Sequence, residues 1–336
     1  MKLSNQERMT GWRSDQDKRG LLYLAGFACV GMALPYAIYP MFAMKILCFG
    51  LFAYAYNILF GYIGMLSFGH AAFFGAASYT TAHTAKFWGL TPEFTILLGT
   101  AVASLFGLVI GWLAIRRTGL YFAMITLALA QLVYFYAVQA PWTHSEDGIQ
   151  SVPRGKLFGL IDLSQSMSMY YVVLGIFLIG FAIAYRATHS PFGEIIKAIR
   201  DNEMRAVSLG YDPDRFKLLA FVLSAGLSGL AGATGAIVFQ LSSLADLNFM
   251  HSADVLLMVL IGGTGTVLGP VVGAGIFVSL QELLGPFGPW IKVVTGGIFV
   301  LLILLFRKGL VGTVIDLFRF IPSRRSAAAA DAATKP

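Results

Sequence analysis

The sequence predicts an all-α integral membrane protein, a polytopic helical bundle of about ten transmembrane segments with glycine-interrupted helices. Three observations lead there. Of the 336 residues, 57% are hydrophobic and only 12% are charged, with a mean hydropathy of +0.73, far from a soluble average. Stretches such as LLYLAGFACVGMALPYAIYP and YYVVLGIFLIGFAIAY are continuously apolar over spanning length. A helix needs about 20 such residues to cross a ~30 Å hydrocarbon layer, whereas barrel strands would alternate apolar and polar positions. The basic residues are also unevenly placed. Of 24 lysines and arginines, 19 fall in the two termini, at Arg116/Arg117 and between Arg186 and Lys217.

Taken in order, spans are expected near residues 21–39, 41–60, 66–85, 94–114, 120–140, 169–186, 217–240, 251–263, 267–284 and 289–306. Excess lysine and arginine mark cytoplasmic loops, so both termini are expected inside, and an even span count agrees by placing them on the same side. The domain reading follows: residues 1–20 as a cytoplasmic N-terminal segment, 21–306 as the transmembrane domain with a cytoplasmic loop at 187–216, and 307–336 as a cytoplasmic tail. The first 20 residues are polar and precede no AxA-type cleavage site, so they read as a lead-in and not a removed signal. The net charge of +7 is met by anionic lipid headgroups and does not call for nucleic acid.

Chemistry-bearing residues are sparse. Cys29 and Cys48 stand alone in apolar runs, with no metal-ligand spacing, and are expected to pack as small hydrophobes. No metal site, no catalytic constellation and no GxxxxGK[ST] phosphate loop is present, so an enzyme reading has no residues to rest on. A proton-driven carrier would need a deep Asp/Glu/His relay, and Asp254, Glu282 and Lys292 instead fall near expected outer helix ends. Glu282 and Lys292 are placed to pair across the GPFGP turn.

Two glycine-rich breaks interrupt the apolar pattern. GYIGMLSFGHAAFFG holds Gly61, Gly64, Ser67, Gly69 and His70, and IGGTGTVLGPVVGAG holds Gly262, Thr264, Gly265, Thr266 and Gly269. The similar glycine spacing suggests an internal repeat. Interrupted segments in corresponding halves point to the translocation path of a transporter. Their hydroxyl and imidazole groups either satisfy the freed backbone or touch a passing solute, and the spacing leaves both readings open.

Between the sixth and seventh spans, SPFGEIIKAIRDNEMRAVSLGYDPDRFK reads as a short amphipathic helix. Ser190 is placed as N-cap, Pro191 as the first helical residue, Glu194 in the first turn and Gly210 at the end. Such a helix either lies on the membrane surface or docks into a groove of a cytoplasmic partner.

GYIGMLSFGHAAFFGAASY, TGLYFAMITLALAQ, EDGIQSVPR, SPFGEIIKAIRDNEMRAVSLGYDPDRFKLLAFVLSAGLSGLAGA and SADVLLMVLIGGTGTVLGPVVGA together resemble the LivM-type permeases of branched-chain amino acid ABC importers. The resemblance runs from about residue 45 to 310. It implies a permease subunit of the bacterial inner membrane, paired with a homologous LivH-type permease, two cytoplasmic ATPases and a periplasmic substrate-binding protein. No cofactor belongs to this chain, since ATP and Mg would be bound by the partner ATPases. The loop helix then corresponds to the coupling helix, with Glu194, Arg200, Glu203, Ala206 and Gly210 as ATPase-contact candidates. The EAAxxxG signature of many importers appears as MRAVSLG, retaining only Ala206 and Gly210. Similar permeases carry urea, short amides, or aromatic and other carboxylates, so the cargo stays open beside branched-chain amino acids. A stand-alone channel or secondary carrier is the rival from another class.

Overall fold

The computed structural model describes residues 5–285, 291–306 and 309–313. Helices occupy all ten segments expected to be apolar and helical. They are α1 (Asn5–Ala37), α2 (Pro40–Asn57), α3 (His70–Phe87), α4 (Pro92–Ala114), α5 (Leu120–Gln139), α6 (Ser166–Thr188), α9 (Pro213–Phe239), α11 (Phe249–Gly262), α12 (Gly269–Leu284) and α13 (Ile291–Leu305). Among the described residues, six helices are long and apolar enough to cross a membrane: α1 from Gly20, α2 extended to Ile63, α4, α5, α6 and α9. The apolar helices α11, α12 and α13 are shorter. Most of the expected tail (307–308 and 314–336) and of the GPFGP turn (286–289) lies outside the described residues.

Burial sorts these helices into a centre and a periphery. In α2 and α9, 83% of the spanning window is buried, against 17% in α1 and 28% in α5, so α2 and α9 form the axis of the bundle. Small residues let the backbones approach where α3 and α4 meet α9, as membrane helix packing requires. A Cβ on Gly229 would strike that of Ala103, and one on Gly232 would strike the Phe74 carbonyl. Larger groups fill the other side of the axis: Phe177 and Phe181 of α6 pack with Tyr54 of α2 and Phe27 of α1. Cys48 is buried there as expected, but Cys29 lies on the exposed face of α1, because that helix touches the bundle along one side only.

The bundle is all-α as expected. Among the described residues, four two-residue strands occur in its connections, β1 (Ile149–Gln150), β2 (Lys156–Leu157), β3 (Ile161–Asp162) and β4 (Leu241–Ser242). β1 pairs antiparallel with β4 and β2 with β3. The β1–β4 pair, with Arg154 donating to the Val238 carbonyl at 2.9 Å, ties the long loop after α5 to the end of α9. Strands this short leave no hydropathy alternation to read.

Beside β4, the single turn α10 (Leu244–Leu247) is closed by a capping box in which Asp246 Oδ2 accepts the Ser243 N–H at 3.2 Å. Burial raises the Asp246 carboxyl from 3.8 to about 6, outweighing this hydrogen bond. A carboxyl raised in the fold stays protonated where the unfolded chain has already ionised. Its contribution is therefore greatest below about pH 4 and is lost as pH rises to about 6. Asp246→Asn is expected to flatten the fall of thermal stability across that window in detergent. Parallel melting-temperature profiles for the two proteins would contradict this assignment.

Candidate functional site

The first break begins inside α2. After Asn57 the helix widens into a π turn at Ile58–Ile63, ends at Gly64 and resumes as α3 at His70. The third expected span therefore starts later than residue 66, because six residues, 64–69, are spent outside any helix. Single π turns are rare and favour functional sites. Here the widened turn redirects the ladder: the N–H of Met65, which an α-helix would send to Gly61, reaches the Leu59 carbonyl instead at 3.1 Å. In the second break α11 ends at Gly262 and α12 begins at Gly269.

The two breaks share a left-handed middle glycine, at spacings of three then five residues in the first and three then four in the second. Gly64 has φ +82° and Gly265 has φ +69°, left-handed values that favour glycine in both middle positions. Each break also holds one hydroxyl that accepts a backbone N–H where the next helix begins. Ser67 Oγ accepts the Gly69 N–H at 3.2 Å, and Thr266 Oγ1 accepts the Gly269 N–H at 3.1 Å. Ser67 is fully buried, whereas Gly64 and Thr264 are exposed.

His70, the first residue of α3, is also fully buried. Its Nε2 lies 2.8 Å from Ser224 Oγ, whose own proton goes to the Ala55 carbonyl at 2.6 Å, so the imidazole is the donor. Tyr56, Phe73 and Phe221 surround the ring. His70 thus joins α2, α3 and α9 from within. Gly69 fits against α5, where a Cβ would lie 2.9 Å from the Thr126 carbonyl.

The breaks meet each other. Gly61 lies against Gly265, where a Cβ on Gly61 would come 2.5 Å from the Gly265 nitrogen. Asn57, fully buried at the end of α2, bonds two neighbouring residues in the middle of the second break: Nδ2 donates to the Thr266 carbonyl at 3.1 Å and Oδ1 accepts the Gly265 N–H at 2.9 Å. Sequence reasoning passed over Asn57. The available signal was an isolated amide in a long apolar run, where an unpaired polar group is costly.

The loop helix is two helices, α7 (Pro191–Asp201) and α8 (Glu203–Ser208). Asn202 divides them because its backbone is extended and its side chain accepts the Arg205 N–H at 3.0 Å, starting a new helix. Ser190 sits at the N-cap position, but its hydroxyl donates backward to the Ala187 carbonyl at 2.8 Å. Gly210 ends α8 as expected. It has φ +87°, its N–H reaches the Val207 carbonyl, and the Tyr211 N–H reaches Ala206, the two bonds of a Schellman motif.

Ile196 and Ile199 bury the apolar side of α7 against the bundle. Of the polar candidates, Glu194 pairs with Lys197 at 2.9 Å and Glu203 with the nearly buried Lys217 at 2.6 Å, which fastens α8 to α9. Arg200 turns toward the bundle and donates from Nη1 to the Gly61 carbonyl at 2.8 Å. Ala206 is buried. Beside the exposed Arg205 and Ser208, α8 and its C-cap offer three large apolar side chains: Met204, Val207 and Leu209 are 77%, 51% and 68% exposed. From the sequence, Leu209 reads only as an apolar position of the amphipathic helix, and Met204 and Val207 were not singled out. At the far end of the bundle, Lys45 lies 3.6 Å from Glu282. The expected partner of Glu282, Lys292, has a side chain outside the described residues.

Comparison with known proteins gives these features a context. The chain is 28% identical over 278 residues to the high-affinity branched-chain amino acid transport system permease protein LivM of Salmonella typhimurium, covering 76% of this chain and 65% of that protein. It is 23% identical over 333 residues to a probable branched-chain amino acid transport permease protein LivM of Methanocaldococcus jannaschii, covering 80% and 92%. An autoinducer 2 import system permease protein, LsrC of Salmonella paratyphi B, is 25% identical over 197 residues, covering 56% and 54%. No solved structure matches. The family described as branched-chain amino acid transport system / permease component matches residues 38–306. The chain belongs to that family.

Proposed function

We propose that this chain is a transmembrane permease subunit of an ATP-driven importer for branched-chain amino acids, working by alternating access. One observation carries the mechanism: α7 and α8 present an apolar patch outward and an arginine inward, to a carbonyl of the first glycine break. An element with one face for a partner and the other on the interrupted helices suits the transfer of movement between them. ATP and Mg belong to two cytoplasmic ATPase subunits that seat on Met204, Val207 and Leu209. A homologous LivH-type permease completes the membrane unit and a periplasmic binding protein delivers cargo. On this reading the protein sits in a bacterial inner membrane with ten spans, α3, α11, α12 and α13 joining the six long helices, and with both termini in the cytoplasm.

The same architecture can serve another solute. The match to a permease of autoinducer 2 import supports a second reading, in which the chain belongs to an importer of a different small polar molecule. Uptake separates them. Proteoliposomes holding the assembled importer, ATP inside and binding protein outside, are expected to accumulate labelled leucine, with competition from isoleucine and valine. ATP-dependent uptake of urea or an aromatic carboxylate without leucine uptake would replace the cargo. Leucine movement by the permease without ATP would replace the importer with a channel or carrier.

A further inference from the structure

We infer that Asn57 is a positioning residue of the transport cycle: with Arg200 it forms a joint linking α7 to both glycine breaks. The inference rests on the importer reading above. It adds a residue and a route by which movement of α7 reaches both interrupted helix pairs.

The route enters α2 at Gly61 and leaves it one turn earlier at Asn57. Arg200 Nη1 donates to the Gly61 carbonyl at 2.8 Å. That carbonyl is available because the π turn has sent the Met65 N–H to Leu59. Arg200 is held in place on its other edge, where Nε and Nη2 both reach Asp201 Oδ1 at 3.1 and 3.0 Å. Its stem crosses Gly64, where an added Cβ would lie 3.0 Å from Arg200 Cγ. One turn earlier on α7, Lys197 Nζ stands 5.6 Å from the centre of the Tyr62 ring. Two cationic side chains of α7 thus engage Gly61, Tyr62 and Gly64 of the first break.

Asn57 carries the connection onward. An amide offers a donor and an acceptor at fixed separation, and this one spends them on adjacent residues of the second break, Gly265 and Thr266. The orientation is set by the partners, since Gly265 contributes an N–H and Thr266 a carbonyl. Gly61 leaves room for the arrangement, because a Cβ there would collide with Asn57 Oδ1. A buried amide with both ends satisfied behaves as a rigid link, and losing either end leaves an unpaired polar group inside the protein. Displacement of α7 therefore does not move the first break alone. The second break, and with it the α11–α12 pair, follows.

The test is the number of ATP molecules hydrolysed per leucine imported by the assembled importer in liposomes, normalised to intact complex. Arg200→Gln is expected to raise this ratio about fivefold or more, the lower bound of a typical coupling energy. Arg200→Lys, which keeps a donor for the Gly61 carbonyl, is expected to recover part of the loss. Asn57→Ala should raise the ratio in whatever fraction assembles, and adding Arg200→Gln to it should raise the ratio little further, because both changes cut one route. An unchanged ratio in Arg200→Gln, or transport and hydrolysis falling together at constant ratio, would overturn the joint. Failure of the wild-type complex to couple ATP to leucine would instead refute the importer reading, so the two failures are separable.

Discussion

Gly232→Ala is expected to prevent the bundle from assembling, whereas Gly235→Ala, three residues further along the same helix, should be tolerated. At Gly232 an added Cβ meets the backbone of α3, with the Phe74 carbonyl carbon at 2.7 Å and its Cα at 2.9 Å. Backbone on backbone cannot relax by rotating a side chain, so α9 and α3 must separate and the small-residue seam beside them opens. Overpacking alone costs roughly 1–3 kcal/mol, and more where the backbone must move. At Gly235 the nearest atoms lie at 3.6 Å and belong to the rings of Phe239 and Phe74, an ordinary contact. Alanine there also removes the glycine penalty of a helix interior, about 1 kcal/mol. Size-exclusion profiles and melting temperatures in detergent check the pair. Equal behaviour of the two variants would contradict the close crossing of α3 and α9.

Met204→Asp combined with Val207→Asp is expected to release the ATPase subunits while leaving the permease inserted and folded. Both side chains are more than half exposed, so the changes disturb no internal packing. On a partner's side, however, two carboxylates replace apolar contacts and would be buried without counter-ions, a desolvation cost of several kcal/mol per charge. Affinity would drop by orders of magnitude. Co-purification of the ATPases through a tag on the permease measures this directly. Glu194→Gln is the control, because that carboxylate pairs with Lys197 on an exposed face where a salt bridge contributes little. Retention of the ATPases by the double aspartate variant would place their docking surface elsewhere.

The sequence was most legible where one physical signal dominated. Apolar runs marked every long helix, because lipid and core both demand continuous hydrophobicity and only length and punctuation vary. The breaks were legible through Gly64 and Gly265, whose left-handed backbone few other residues adopt. What escaped was whatever depends on residues far apart in the chain. That Asn57 would clasp Gly265, 208 positions away, follows from how α2 and the α11–α12 pair pack, not from any local pattern. The direction of Arg200 was hidden for the same reason: on a helical wheel it is a polar residue facing water, yet its partner is a carbonyl released by a distant π turn. The division of α7 from α8 had a local signal in Asn202, overridden in the reading by the apolar periodicity on either side of it. The exposure of Met204, Val207 and Leu209 escaped because periodicity does not show which apolar positions of a loop helix the bundle covers and which it leaves open.

The central claim, that this permease is driven by partner ATPases in response to a delivered branched-chain amino acid, is tested most directly by ATP hydrolysis in lipid. The assembled complex is measured with no binding protein, with empty binding protein and with leucine-loaded binding protein. The account predicts low hydrolysis in the first two conditions and a several-fold rise in the third, lost in the Met204→Asp, Val207→Asp variant. Hydrolysis that is indifferent to the loaded binding protein, in a complex shown to be intact, would contradict it.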